Sequence, residues 1–141
     1  MSDPGSIRWN WLRAMYLYTI FGAGGFGLAF LLMPGTLQSA LRFPPQDAFI
    51  FGVYGSVLLA SGLLAIPALR SPLKFAPLLL LQLVYKPIWL AALVLPSALK
   101  GRFPFYVAFI AVVFLTYIIG DLIAIPFPYF FSSKGTPSES A

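Results

Sequence analysis

The sequence contains no cysteine and no histidine. Without cysteine, the chain has no disulfide bonds, no thiolate metal ligands and no cysteine nucleophile. Without histidine, it lacks the commonest metal and haem ligand and the usual general base of enzymes. A metal centre or a serine-histidine-aspartate triad cannot be built from this chain alone. We therefore predict no metal site and no cofactor.

Charged side chains are also scarce. They make up 9% of the 141 residues, whereas 60% of the residues are hydrophobic. A soluble domain is typically about 25% charged, so the surface of this chain is suited to lipid rather than water. The net charge of +5 comes from cations that mostly flank apolar segments, where lysine and arginine meet lipid headgroups. No clustered basic face is present, so we predict membrane lipids as partners and no binding to nucleic acid.

Four long apolar segments follow one another along the chain, separated by proline-containing connections. Each is about 20 residues long, which matches a hydrocarbon core about 30 Å thick. A backbone inside lipid must satisfy its own hydrogen bonds, so each segment is predicted to be a helix. The segments cover about residues 12–33, 48–69, 75–95 and 105–126.

The connections predict how these helices are arranged. Those around residues 70–74 and 96–104 are short, which favours antiparallel neighbours. The first connection contains Gly35–Phe43, whose apolar residues can share one face of a short helix lying at the membrane interface. The fold class is thus an all-α membrane protein, with four transmembrane helices in an up-down antiparallel bundle. Residues 1–131 form this domain, and 132–141 form a polar, disordered tail.

The cations predict the orientation in the membrane. The side that holds both termini carries five cations and the opposite side three: Arg8, Arg13, Arg70, Lys74 and Lys134 against Arg42, Lys100 and Arg102. Because cytoplasmic loops carry an excess of lysine and arginine, both termini are predicted to be cytoplasmic.

Glycines are concentrated in the first two spans. Gly22, Gly24 and Gly27 match the G-x-G-x-x-G pattern of dinucleotide-binding proteins literally, but that fingerprint requires a preceding strand and a βαβ unit. In a membrane helix, small residues instead let a neighbouring helix approach closely. The glycines predicted to pack the first two helices together are Gly22, Gly24, Gly25, Gly27, Gly52, Gly55 and Gly62.

Lys86 and Asp121 are the sharpest feature, because they lie inside the third and fourth apolar segments. A charge at such a depth costs about 2.5–3.5 kcal/mol on insertion scales. Their Cα atoms are predicted to differ in depth by roughly 9 Å at 1.5 Å per residue. Helical side chains lean toward their own N-terminus, so these two lean toward each other. A direct or water-bridged pair is expected if the two helices are neighbours.

Two interpretations of this pair compete, with a third in which Asp121 lies near the interface and is hydrated. In the first, a buried ion pair or a snorkelling Lys86 fixes the register of the helices. In the second, the charges line a polar pocket for a lipid headgroup, a quinone or an ion. The candidate pocket residues are Lys86, Asp121, Gln82, Tyr85, Tyr117 and Tyr54.

The layout resembles the DoxX-like group of small four-helix bacterial membrane proteins. The resemblance lies in residues 20–70, with a glycine-rich first span, the segment TLQSALRF after Pro34, and a second span that contains FGVYGSVLLASGLLAI. It implies the bundle fold and a bacterial inner (cytoplasmic) membrane. For some members of the group it implies a link to quinone-dependent redox chemistry or to partner redox proteins. No catalytic residue can be carried over to this chain.

Three functions are compatible with these features. The first is a small non-catalytic subunit or accessory protein, which packs against other membrane protein subunits or against copies of itself. The second is a binder or carrier of a lipid, quinone or ion, with its pocket around Lys86 and Asp121. The third is a lipid- or quinone-acting enzyme that uses Asp121 as an acid or base.

Overall fold

The computed structural model describes residues 7–131, and this part of the chain contains helices and no strand. The long helices are α1 (Trp9–Leu32), α3 (Ala48–Ala68), α4 (Ala76–Leu99) and α5 (Phe105–Ala124). All four are long and apolar enough to cross a membrane, by length and composition. The predicted all-α class with four membrane-length helices is confirmed, and it is consistent with an integral membrane protein.

Two short helices complete the described residues, α2 (Pro34–Leu41) and α6 (Phe127–Phe130). Helix α2 begins with a proline, whose fixed φ angle suits the first turn of a helix, and it ends at Arg42 in the left-handed conformation. The short helix expected after the first span is therefore present, and its location at the membrane interface stays a prediction. The predicted tail, residues 132–141, lies outside the described residues.

Two of the long helices contain a π-helical turn, at Ile20–Gly24 in α1 and at Leu90–Val94 in α4. The third span was expected to end near residue 95, but α4 continues past Pro96 to Leu99. Pro96 lies in the first turn after the π-helical segment. The change from π to α hydrogen bonding there accommodates a residue that has no N–H group.

Glycines bring α1 and α3 into backbone contact. A Cβ atom added at Gly62 would lie 2.6 Å from the Cα of Gly24, and one added at Gly27 would lie 2.8 Å from the carbonyl oxygen of Gly55. No real Cβ atom tolerates such approaches to backbone. These four glycines thus lie where the backbones of α1 and α3 approach each other closely.

The other three glycines of the predicted set lie elsewhere. Gly22 faces the hydroxyl of Tyr117 on α5 rather than α3. A Cβ atom at Gly25 or Gly52 would meet nothing within 4 Å, so these two glycines do not lie at the contact between α1 and α3. The reason is geometric, because a helix carries only part of its residues on the face that meets a neighbour.

Successive residues along α1 contact α3 and α5 in reverse sequence order. Moving along α1, Arg13 reaches the carbonyl of Leu69, and Phe30 packs on Phe51 of α3. Against α5, Tyr18 meets Thr116, and Phe26 meets Phe109.

The helices enclose two clusters of buried apolar side chains. The first, which we call the sealing cluster, lies at the end of the bundle where α1 begins and includes Leu12, Tyr16 and Leu79, each 0% exposed. The second lies beyond it toward α2 and contains Ala23, Phe30, Phe51 and Leu58. The candidate site lies between and beside these two clusters.

Candidate functional site

A cavity lies between the four long helices, on the half of the bundle that is away from the sealing cluster. The space between its lining atoms is about 510 Å³, a volume that includes open space outside the protein. We call it the aromatic cavity. Its lining residues are Gly22, Ala23, Phe26, Phe30, Leu41, Tyr54, Leu58, Tyr85, Lys86, Phe109, Ile110, Val113, Phe114 and Tyr117.

Lys86 supplies the charge of this cavity. Its side chain is only 3% exposed, and its Nζ donates a hydrogen bond of 3.2 Å to Oε1 of Gln82, one turn earlier on α4. The same Nζ lies 4.3 Å from the ring centroid of Tyr117 and 4.5 Å from that of Tyr85. A cation over aromatic faces gains about 0.5–2 kcal/mol, so the rings stabilise the buried ammonium in part.

Asp121 is buried more deeply and has fewer partners. Its side chain is 0% exposed, and neither Oδ1 nor Oδ2 has a hydrogen-bond partner among the described residues. Nε2 of Gln82 is equally unpartnered. The direct form of the expected Lys86–Asp121 pair is therefore absent from the described residues, because the Nζ of Lys86 is held by Gln82 and the rings. Both charges are nevertheless buried, and electrostatic attraction between opposite charges is screened less in a protein interior than in water.

A hydrogen-bonded framework holds the ring of Tyr117 against Lys86. The Tyr117 hydroxyl donates to the carbonyl oxygen of Tyr18 at 3.1 Å, and the two rings stack with centroids 4.1 Å apart. Thr116 in turn donates to the carbonyl of Val113 at 2.6 Å and shares a second hydrogen bond with the Tyr18 hydroxyl. The environment of the ammonium is thus fixed by α1 and α5 together.

The structure brings together four of the six predicted pocket residues on the cavity wall: Lys86, Tyr85, Tyr117 and Tyr54. Gln82 and Asp121 do not line the cavity and lie on the other side of Lys86, toward the sealing cluster. Most of the wall of this cavity consists of aromatic and aliphatic side chains rather than the polar groups that the sequence led us to expect. A cavity with one cation and apolar walls fits an amphiphilic molecule better than a bare ion.

Sequence reasoning missed most of the apolar wall, including Phe26, Phe30, Phe109 and Phe114. One local feature of the structure marks this region, although the sequence does not reveal it. The first π-helical turn, Ile20–Gly24, contains the wall residues Gly22 and Ala23, and the second begins directly after Trp89. Single π-helical turns occur frequently at functional sites, and the first of these two forms part of the wall of the aromatic cavity.

No family model, curated protein or solved structure matches the chain. Within residues 7–131, no three acidic, cysteine or histidine side chains come together as a candidate metal site. The functional argument therefore rests on the aromatic cavity and on its buried lysine.

Proposed function

We propose that this protein binds a small amphiphilic molecule, of the lipid or quinone type, in the aromatic cavity of a membrane-embedded helical bundle. The observation that carries the proposal is the buried ammonium of Lys86 at the wall of a largely apolar cavity. Apolar walls hold a ligand and a few placed polar groups orient it, which is the usual composition of a small-molecule site.

Burying the charged side chain of Lys86 costs free energy. A buried charge is unfavourable unless it is paired, and the described residues give Lys86 one hydrogen bond to an uncharged amide. A charge kept at membrane depth against this cost usually marks a functional site. A hydrogen-bond acceptor on a bound molecule would lower the free-energy cost of burying the Lys86 ammonium.

The placement in the membrane is part of the proposal. The opposite order of the contacts between helices supports an up-down bundle of the four spans. The distribution of cations supports cytoplasmic termini, and the DoxX-like layout supports a bacterial inner membrane. The structure contains the four membrane-length helices, and their arrangement, orientation and membrane are proposed here in addition.

Filling the cavity is expected to exclude the bound molecule. Val113 lines the aromatic cavity, whereas the neighbouring Val112 is 61% exposed on the outside of α5. We expect Val113→Phe to reduce the amount of small molecule that copurifies from native membranes at least about tenfold, equivalent to 1.4 kcal/mol. Native mass spectrometry of the gently extracted protein measures this, and Val112→Phe is the matched control. Equal occupancy in both variants would contradict the proposed site.

An accessory subunit is the second candidate, and one observation favours it. Gly52, Ser56 and Ala60 recur every four residues along α3, and a Cβ atom added at Gly52 would meet nothing within 4 Å. Such a small-residue row suits the close approach of another membrane helix. The enzyme hypothesis has no such support, since Asp121 does not line the cavity.

The same extraction experiment tests this second candidate. An accessory subunit is expected to retain other membrane proteins, or copies of itself, in a fixed ratio. Ala60→Leu should then reduce the retained partner severalfold, whereas Leu63→Ala on the exposed surface of α3 should leave it unchanged. A protein that is monomeric in native mass spectra before any substitution contradicts the subunit function.

A further inference from the structure

We propose that the molecule bound in the aromatic cavity has an anionic head group that pairs with Lys86 and a single apolar chain that runs toward α2. This inference rests on the proposed function and specifies the chemical class of its ligand. It is carried by the charge, the hydrogen-bonding capacity and the dimensions of the cavity.

The charge of the cavity wall has one sign. Lys86 is the only lysine, arginine, aspartate or glutamate among the described residues that line it. The one nearby carboxylate, Asp121, makes no hydrogen bond to Lys86 and does not reach the cavity. A cationic ligand would therefore be repelled, and an anionic one would be attracted, at the Lys86 end.

The ammonium also has donors to spare. A lysine side chain carries three N–H donors and no acceptor, and among the described residues Nζ uses one donor, toward Gln82. The rings of Tyr85, Phe114 and Tyr117 offer the cation their faces. Anionic oxygens form charge-assisted hydrogen bonds that are roughly twice as strong as neutral ones. Carboxylate or phosphate oxygens therefore satisfy Lys86 better than a ketone or an alcohol.

The length of the cavity fits a chain rather than a compact ion. On α1 its wall extends from Gly22, beside Tyr117, to Phe30. Eight residues of helix span about 12 Å at 1.5 Å per residue. Beyond the level of Lys86 the wall is aromatic and aliphatic and reaches Leu41 of α2.

Free fatty acids and singly acylated phosphates share this chemistry, and a quenching experiment distinguishes them. Trp9, Trp11 and Trp89 are the three tryptophans of the sequence, so Trp9→Phe with Trp11→Phe leaves Trp89 as the reporter. Trp89 lies beside Tyr54, Tyr85 and Phe114 at the adjoining space. The probes are 5-bromodecanoate, 5-bromodecyl phosphate and 5-bromodecanol, whose bromine quenches tryptophan fluorescence on contact. The bromine is placed near the head group because Trp89 lies only three residues, about 4.5 Å of helix, beyond Lys86. The protein is held in nanodiscs of zwitterionic lipid.

We expect at least one anion to quench Trp89 saturably, with a dissociation constant at least about tenfold below that of the alcohol, a difference of 1.4 kcal/mol. The preferred anion identifies the head group as carboxylate or phosphate. In Lys86→Met the ratio of anion to alcohol affinity should fall to about one, whereas the alcohol should still bind. Lys86→Arg should keep most of the ratio. Lys100→Met, at an exposed position, should keep all of it.

The outcomes separate this inference from the proposed function. Saturable quenching by the alcohol at the same affinity as both anions, in the protein with Lys86 intact, overturns the anionic ligand but retains a binding cavity. A preference for the anions that survives Lys86→Met also overturns it. Quenching that is not saturable with any probe, and that Val113→Phe leaves unchanged, overturns the proposed function itself. The comparison with Lys86 intact decides the matter even if Lys86→Met does not fold.

Discussion

Replacing Gly27 by alanine is expected to destabilise the bundle by about 1–3 kcal/mol, the usual cost of forcing an extra carbon into a packed interface. The added Cβ would meet the backbone of Leu59 and, at 2.8 Å, the carbonyl oxygen of Gly55. Neither is the flexible end of a side chain, so α1 and α3 would have to move apart. The midpoint of unfolding in mixed dodecyl sulfate micelles, followed by circular dichroism, measures the change.

Gly25→Ala is the matched control, two residues away on the same helix. Nothing lies within 4 Å of a Cβ atom at Gly25, and alanine is a better helix former than glycine by about 1 kcal/mol. We therefore expect Gly25→Ala to be neutral or stabilising. If the two alanine variants unfolded at the same midpoint, the close backbone contact of α1 and α3 would be refuted.

Removing one of the two buried charges is expected to cost on the order of 3 kcal/mol, because the remaining charge is left without its opposite in a low-dielectric interior. Lys86 is 3% exposed and Asp121 is 0% exposed. The variants are Lys86→Met and Asp121→Asn, singly and together. We expect the double variant to be more stable than the sum of the single effects predicts, by about 0.5–3 kcal/mol.

A control double-mutant cycle uses the exposed Lys100 in place of Lys86. Lys100→Met combined with Asp121→Asn should be additive to within about 0.5 kcal/mol, as distant sites usually are. Additivity in the Lys86 cycle as well would show that the two buried charges do not sense each other. If the single variants and the double variant kept both the original stability and the original ligand content, this result would contradict both the structural pair and the binding site.

The four spans were predictable because the physical signal is long and redundant. A run of about 20 apolar residues has few alternatives to a membrane helix, and prolines lie near most of its boundaries. The glycine faces were less predictable. The π-helical turn at Ile20–Gly24 changes the residue count per turn in α1. A regular helical period therefore does not show that Gly24 and Gly27 meet α3 while Gly25 faces outward.

The site was predictable in its charges but not in its walls. Lys86 and Asp121 stand out because an ionisable residue in an apolar run is costly wherever the chain places it. Phe26 lines the cavity, whereas Phe21 is 76% exposed on the outside of the same helix. In a soluble protein, polarity would distinguish these two environments, but lipid is as apolar as a protein interior.

The position of Lys86 was only partly foreseen. Its side chain leans toward its own N-terminus, as expected, because its partner Gln82 lies one turn earlier on α4. The sequence does not show that Tyr85 and Tyr117 would surround the ammonium, since this depends on the stacking of Tyr18 on Tyr117. Contacts that require three helices at once are set by packing and leave little trace in local sequence.

The sealing cluster makes the two ends of the bundle unequal. Leu12, Tyr16 and Leu79 are completely buried at one end of the bundle. The Tyr16 hydroxyl donates a hydrogen bond of 2.6 Å to the carbonyl oxygen of Pro72. The aromatic cavity begins at Tyr117, which also belongs to this cluster, and extends away from it toward α2. If the bundle spans a bilayer and binds a ligand as proposed, the ligand would exchange at the α2 end, which is the access of a one-sided receptor or reservoir rather than that of a conduit.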